Sequence, residues 1–282
     1  MSIVKLHKLK QKYVLYKLLH KYRQQDNIER FRSFHSDCGN IIGNDCPIWC
    51  CWWQGEENMP EPVKTCYNSI KKYAGRHSVI LITDDNASEY LSLPQNLQDK
   101  RAAGQISLTH YSDIARMYLL KQYGGIWLDA TILLTQSIDS IVDTSKGFWT
   151  LRHVSTNHNV SAGLWTSFFI ASGKGNIIPE YIYYSLINWW GRNDKVLNYL
   201  LLDYIFKAGY NAMPQIKAII DDFPVQRIST MVKHLKEPYS EALWAELTSH
   251  SGLHKLTWKK QFPLTDKHGM KTLYNIILSN YP

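Results

Sequence analysis

The spacing of apolar positions changes along the chain, and each change marks an element. Leu6, Leu9, Tyr13, Tyr16 and Leu19 recur every three or four residues, which predicts one face of a helix. A polar linker follows near Ser33 to Asn44. Pro47 to Trp53 is a continuous apolar and aromatic run and reads as a first buried strand. Gln54 to Pro62 reads as a loop, broken by Gly55, Pro60 and Pro62. Pro62 to Tyr73 predicts a helix, and Ser78 to Thr83 a second buried strand. Asp84, Asp85 and Asn86 make a polar turn at its end. Strands and helices in alternation imply an α/β fold, a Rossmann-like, mostly parallel sheet flanked by helices. Ligands on such sheets bind beyond the carboxyl ends of the strands, where Trp52, Asp84 and Asp129 fall.

Ser112 to Leu134, SDIARMYLLKQYGGIWLDATILL, carries the most information. It reads as a short helix, a glycine break and a buried strand that ends in a carboxylate. Asp113 and Arg116 are three apart and share a helix face. Gly124 and Gly125 end the helix where a positive φ is needed. Ile126 to Leu134 is apolar except for Asp129 and Thr131. Two apart on a strand, these project together, with Trp127 behind them. A carboxylate in so apolar a run needs a partner or a metal. The plainer alternative is an Asp that caps a strand end and bonds a nearby turn.

Read as SDxxRxxxLxxxGGxxLDxT, this block resembles the donor site of glycosyltransferases with a DXD-containing sugar-binding region. Yeast mannosyltransferases and large clostridial toxins carry it, and the stronger resemblance is to the bacterial capsular polysaccharide synthesis proteins. The resemblance implies a GT-A type fold, a nucleotide-sugar donor and retention of anomeric configuration. It assigns Asp113 to the donor's ribose or sugar and Arg116 to the sugar. It assigns Asp129 to a divalent cation, Mn²⁺ or Mg²⁺, held against the diphosphate. The second Asp of the motif is Thr131 here, which removes one anionic ligand; a hydroxyl can still ligate such an ion. CWWQGEENMPEP resembles the family's first-strand motif, in which a Trp stacks on uracil, and this points to Trp52. Alternation sets Trp49 and Trp53 on the opposite face. Asp84 and Asn86 are candidates at the base or ribose, although turn chemistry accounts for both.

Near the C-terminus, SHSGLHKLTWKK gathers His250, His254, Lys255 and Trp258. Enzymes that resemble this one use a late His as metal ligand and a nearby Lys or Trp on the diphosphate. The resemblance therefore makes His254 a metal candidate beside Asp129 and Thr131, and Lys255 and Trp258 diphosphate candidates. Imidazole suits a divalent ion, and an ammonium neutralises a departing diphosphate. Between these regions Asn157, Ser161, Trp165 and Ser172 accompany strand-like runs, in the part that lines the sugar and acceptor side in relatives. Asp203, on an apolar helix, is a candidate for a catalytic contact with the transferred sugar, or else an acid paired with a base; Asp194 is a weaker version of the same idea.

Charge adds a location. Residues 1–32 hold nine Lys or Arg against Asp26 and Glu29, a net of +7, while the whole 282-residue chain is +8. The excess therefore sits on an N-terminal basic amphipathic helical segment, ahead of a single, nearly neutral domain over 33–282. Lys5, Lys8, Lys12 and Lys17 line the face opposite the Leu and Tyr positions. Three readings stay open for the segment: an anionic membrane surface, packing on the domain, or a nucleic-acid arm. A near-neutral body without a binding motif argues against nucleic acid as a partner. The five cysteines, Cys38, Cys46, Cys50, Cys51 and Cys66, form no repeated CxxC pair and read as thiols without a disulfide framework. No apolar run approaches the roughly 20 residues of a membrane span, and no secretory signal is visible. A cytoplasmic protein, peripheral at the inner face of the cell membrane, is expected.

These readings converge on a metal-dependent hexosyltransferase that moves a sugar from a UDP-sugar to a lipid-linked oligosaccharide acceptor in capsular or exopolysaccharide synthesis. The rival is a catalytically inactive sugar-nucleotide-binding or scaffold protein of the same process, which Thr131 keeps in play.

Overall fold

The computed structural model describes residues 3–21, 23–32, 39–155 and 159–281, with side chains from Leu6 onward. Cys38, Asn157, the side chain of Lys5 and the first half of the expected linker lie outside the described residues.

Among the described residues nine strands form: β1 (Ile48–Cys51), β2 (Val79–Ile82), β3 (Gly125–Leu128), β4 (Ile132–Leu134), β5 (Phe148–Thr150), β6 (Arg152–His153), β7 (Phe169–Ser172), β8 (Val225–Gln226) and β9 (Leu253–Lys255). The central sheet has the order β2-β1-β3-β7-β5. β1 is parallel to β2 and β3, with Trp49 opposite Ile80 and Trp127. β7 is antiparallel to both β3 and β5, so it alone runs against the other four strands. The expected α/β architecture, a mostly parallel sheet flanked by helices behind a helical N-terminus, is what the chain adopts.

Alternation along the strands divides the core. Trp49, Trp127 and Ile170 face one side, against Ile114 and Leu120 of the Leu108–Tyr123 helix and Ile178 of the Ile177–Arg192 helix. Ile48, Cys50, Ile126 and Leu128 face the other, against Val63, Tyr67 and Ile70 of the Glu61–Tyr73 helix. Burial on both faces is why these strands read as unbroken apolar runs.

The helix expected from Ser112 starts earlier. Ser107 caps it, accepting a hydrogen bond from the backbone N–H of His110. Gly124 ends it at φ 73°, and Gly125 follows at φ 107°. A Cβ on Gly125 would lie 2.4 Å from the Pro47 carbonyl oxygen, so the pair is needed both for its backbone angles and for the close approach of β3 to β1.

The buried strand does end at a carboxylate, Asp129, so Asp129 and Thr131 do not lie two apart on one strand through the run Ile126 to Leu134. The chain turns at Asp129-Ala130-Thr131, where the Ile132 N–H donates to the Asp129 carbonyl at 2.9 Å. Beyond the turn, β4 leaves the central sheet and pairs antiparallel with β9, Ile132 opposite Lys255. Asp129 and Thr131 interrupt the apolar run there, but the residue between them, Ala130, is buried and apolar and gives no turn signal.

The N-terminal segment divides by face as well. It forms the Ile3–Tyr16 helix, a π-helical turn Lys17–Lys21 and the Gln24–Arg32 helix. Val14, Leu18, Ile28 and Phe31 are buried in the cluster that contains Trp49. Gln24 and Asn27 donate to the carbonyl and hydroxyl of Ser185, which fixes the second helix on the body. The stripe anticipated from the sequence points elsewhere: Leu6, Leu9, Tyr13 and Tyr16 are between 48 % and 61 % exposed. The four described cysteines are free thiols, and burial pushes Cys46, Cys51 and Cys66 up to about 12.

Candidate active site

β1, β2 and β3 are parallel, so their carboxyl ends open on one edge of the sheet. A cavity of about 440 Å³ lies there, lined among others by Trp52, Trp53, Arg116, Asp129, Lys255 and Trp258. Each comes from a different device. Trp52 and Trp53 follow β1, with the Trp52 N–H bonded to the Ile82 carbonyl. Arg116 is on the Leu108–Tyr123 helix, and Asp129 opens the turn after β3. Lys255 ends β9, and the next residue, Leu256, donates its backbone N–H to the Thr131 carbonyl at 2.9 Å. That bond locks the Lys255 strand end to the Asp129 turn.

Asp129 is the centre of the charges. Its Oδ2 accepts from Lys255 Nζ at 2.6 Å, and its Oδ1 accepts from Arg116 Nη2 at 3.0 Å and Trp127 Nε1 at 2.9 Å. Trp127 is thus a partner of the carboxylate as well as a ring behind it, and the Arg116 guanidinium lies 4.9 Å over that ring. Burial opposes ionisation of Asp129, but Lys255 and Arg116 outweigh it and hold the carboxyl down at about 2. Lys255 Nζ also donates to Thr131 Oγ1 at 2.7 Å. Asp129 and Thr131 therefore do converge, as expected, but around an ammonium and through a turn.

Behind Arg116 lie two further acids. Asp113 Oδ1 is 3.4 Å from Arg116 Nη1. Burial pushes the Asp113 carboxyl up to about 7 despite that neighbour, with Asp203 and Asp129 adding to the rise. Asp203 accepts from Trp165 Nε1 at 2.8 Å and is also raised by burial. Neither lines the cavity. The contacts expected of Asp113 with a ribose or sugar, and of Asp203 with a transferred sugar, are not what this arrangement brings together: Asp113 is paired with Arg116 and Asp203 with Trp165. Trp165 and Ser172 are likewise buried. Asp84 is ion-paired with Arg101 and does not line the cavity, and Asp194 is paired with Lys100. Asn86 bonds the backbone around Leu81 and Thr83, the turn chemistry named as its alternative.

The aromatic expectations fare differently. Trp52 and Trp258 meet edge to face, centroids 5.7 Å apart at 83°, and form one wall of the cavity. The Trp52 indole N–H reaches the Asn58 carbonyl at 3.3 Å, which fixes the ring against the loop after β1. Trp53 is more buried and donates to Ser112 Oγ at 2.8 Å. Ser112, Tyr199 and Lys259 also line the cavity and were not singled out from the sequence. The basic, aromatic run around Trp258 was the available signal for Lys259.

A model of the capsular polysaccharide synthesis protein family matches residues 2–277. The chain belongs to that family. Among curated proteins, 105 residues are 30 % identical to the O-glycosyltransferase PaGT of Phomopsis amygdali, covering 34 % of this chain and 26 % of that protein. The O-glycosyltransferase braB of Annulohypoxylon truncatum is 28 % identical over 109 residues, covering 36 % and 26 %. The glycosyltransferase afumC of Aspergillus fumigatus is 24 % identical over 147 residues, covering 48 % and 38 %. The chain thus spans well under half the length of these relatives. Of solved structures, the PaToxG glycosyltransferase aligns with a TM-score of 0.48 at 15 % identity, over 76 % of this chain and 84 % of its own.

The residues of this family member do not fit the expected metal. Strand alternation turns His254 to the opposite side from Lys255. It is fully buried, its Nδ1 bonded with Ser229 Oγ at 2.6 Å and its Nε2 with Thr135 Oγ1 at 2.9 Å. Both ring nitrogens are engaged there, so His254 does not join Asp129 and Thr131. Among the described residues no group of three His, Cys, Asp or Glu side chains could hold a metal ion. What remains is one carboxylate and one hydroxyl, both already bonded to Lys255.

His254 is then a structural residue whose pH behaviour can be measured. Burial lowers its pKa from 6.5 to about 4. A base with a depressed folded pKa contributes stability above its unfolded pKa and loses it as pH falls through the folded one. Urea unfolding from pH 7 to pH 4 should show a stability loss, of which His254 accounts for up to about 3 kcal/mol. His254→Gln should flatten that part of the profile. An unchanged slope in the variant would show that His254 is not buried as a neutral base.

Proposed function

We propose that the protein is a glycosyltransferase whose donor is a nucleotide sugar bound at the Asp129 cavity. One observation carries this reading. Of the charged residues that line the cavity, three are cations, Arg116, Lys255 and Lys259, and one is a carboxylate, Asp129. A cationic cavity with an aromatic wall, open at the carboxyl ends of parallel strands, suits a ligand with a diphosphate and a flat ring. The family and the glycosyltransferase names of the relatives point the same way.

A UDP-sugar is the donor we infer. The uracil ring stacks on Trp52 against Trp258, a contact of about 1–3 kcal/mol for a base on an aromatic face. The diphosphate lies towards Lys255 and Arg116. In the transfer, the bond between the anomeric carbon and the diphosphate oxygen breaks, and its electron pair leaves with the diphosphate. The acceptor hydroxyl oxygen bonds to the anomeric carbon, and its proton passes to the departing diphosphate. Lys255 and Arg116 stabilise the charge that grows on the leaving group. Asp129 holds these two cations in place, and Asp113 and Asp203 stand behind Arg116 as positioning residues.

The acceptor we infer is a lipid-linked oligosaccharide, reached from an anionic membrane surface. The exposed Leu6, Leu9, Tyr13 and Tyr16 stripe supports this, because it is apolar, unburied and flanked by the exposed Lys8, Lys10 and Lys12. Among the described residues no helix is long and apolar enough to cross a membrane.

UDP release from a panel of UDP-sugars tests the donor reading. Slow hydrolysis of one sugar is expected, reduced about 100-fold or more in Asp129→Ala. Turnover untouched by Asp129→Ala would contradict it. Donor binding without turnover, even with acceptor supplied, would make the protein an inactive binding or scaffold member of a polysaccharide synthesis complex.

Co-sedimentation with vesicles tests the surface. Binding to vesicles containing phosphatidylserine, absent with phosphatidylcholine alone and lost in Leu9→Glu/Tyr13→Glu, is expected. Equal recovery of that variant with the anionic vesicles would contradict it.

A further inference from the structure

We propose that Lys255 takes the place of a divalent cation at this site, so that the donor diphosphate binds and departs against Lys255 and Arg116 without metal. The inference rests on the nucleotide-sugar reading above.

The position of the ammonium comes first. Lys255 Nζ lies between Asp129 Oδ2 and Thr131 Oγ1, at 2.6 and 2.7 Å. These are the two oxygens that would hold an ion in the sequence motif. An Mg²⁺ or Mn²⁺ bound to Asp129 at about 2.1 Å would stand within contact distance of that ammonium. The lysine is not a chance visitor. β9 pairs with β4, and the Leu256 N–H to Thr131 carbonyl bond holds the base of the side chain to the turn that carries both oxygens.

The remaining bonding capacity points to an anion. An ammonium has three N–H donors, and Asp129 and Thr131 take two. The third is left for an oxygen in the cavity, towards which the side chain is 35 % exposed. Arg116 adds an independent sign. It is only 6 % exposed and lines the cavity, yet its buried Nε has no hydrogen-bond partner. A buried guanidinium N–H is costly to leave unbonded, and a phosphate oxygen would satisfy it. Among the described residues that line the cavity, Asp129 is the one carboxylate beside Lys255, Arg116 and Lys259, so the lining itself carries surplus positive charge of the kind a metal would bring.

Thr131 then acquires a reason. A second aspartate at this position would halve the surplus positive charge of the cavity lining and set both carboxylates on Lys255. A hydroxyl accepts the ammonium's hydrogen bond and adds no charge.

Calorimetric titration with UDP, GDP and dTDP, once in EDTA and once in excess Mn²⁺, tests the proposal on the wild type, Lys255→Met and Lys255→Arg. Thermal melts of each variant check folding. At least one nucleotide is expected to bind in EDTA, with a Kd that Mn²⁺ changes less than about threefold. Loss of one charge-assisted hydrogen bond corresponds to roughly 10- to 150-fold, so Lys255→Met should weaken binding by that order. Lys255→Arg should keep most of it. If Lys255→Met does not fold, the wild type in EDTA and the Arg variant still decide. Binding that requires Mn²⁺, or that is unchanged in a folded Lys255→Met, overturns the proposal and leaves the transferase reading standing. Absence of binding for all three nucleotides in both media overturns both.

Discussion

A carboxylate at the end of a fully buried strand is tolerated only where cations reach it, and the architecture around Asp129 follows from that constraint. β3 delivers Asp129 to the edge of the sheet with no other charged side chain on the strand. Three donors then come from three elements: Trp127 from β3 itself, Arg116 from the preceding helix and Lys255 from β9. Remove the carboxylate and two cations lose the partner that holds them at one point. Remove either cation and a buried negative charge loses half of its compensation. The group is therefore a single unit, and its surplus positive charge faces the cavity.

The backbone serves the same end. Gly124 and Gly125 let a long helix reverse into a strand at contact distance from Pro47, which brings Arg116 over Trp127. The break at Asp129-Ala130-Thr131 frees β4 from the central sheet to pair with β9. Without that break the segment holding Lys255 and Trp258 would have no edge on which to dock. Asp113 and Asp203 complete the support from behind. Burial raises both carboxyls above their ordinary range, while Arg116 bonds Asp129 at 3.0 Å.

Much of this was legible in the sequence, for physical reasons. Strands buried on both faces leave unbroken apolar runs, so β1, β2 and β3 and their common carboxyl edge could be read. Asp129 stood out as a carboxylate in an apolar run, and Trp52, Arg116, Lys255 and Trp258 could be named because the motifs around them resemble those of the family. What failed depends on pairings that leave no local trace. The direction of His254 follows from the alternation of β9, and the register that fixes it involves residues more than a hundred positions away. The pairing of Asp84 with Arg101 and of Asp203 with Trp165 is hidden for the same reason. The turn at Ala130 was lost because its middle residue is apolar. The N-terminal stripe was found, but its periodicity could not tell that Val14 and Leu18, on another face, make the contact with the body.

The resulting picture is of a family member in which protein cations, gathered on one carboxylate, face the place where a diphosphate would lie. The most direct test is a crystal structure of the protein soaked with UDP and Mn²⁺, with data collected at the manganese absorption edge. The account predicts the diphosphate against Lys255 and Arg116, the uracil on Trp52, and no anomalous peak bonded to Asp129. A manganese peak coordinated by Asp129 and the diphosphate, with Lys255 displaced, would contradict it.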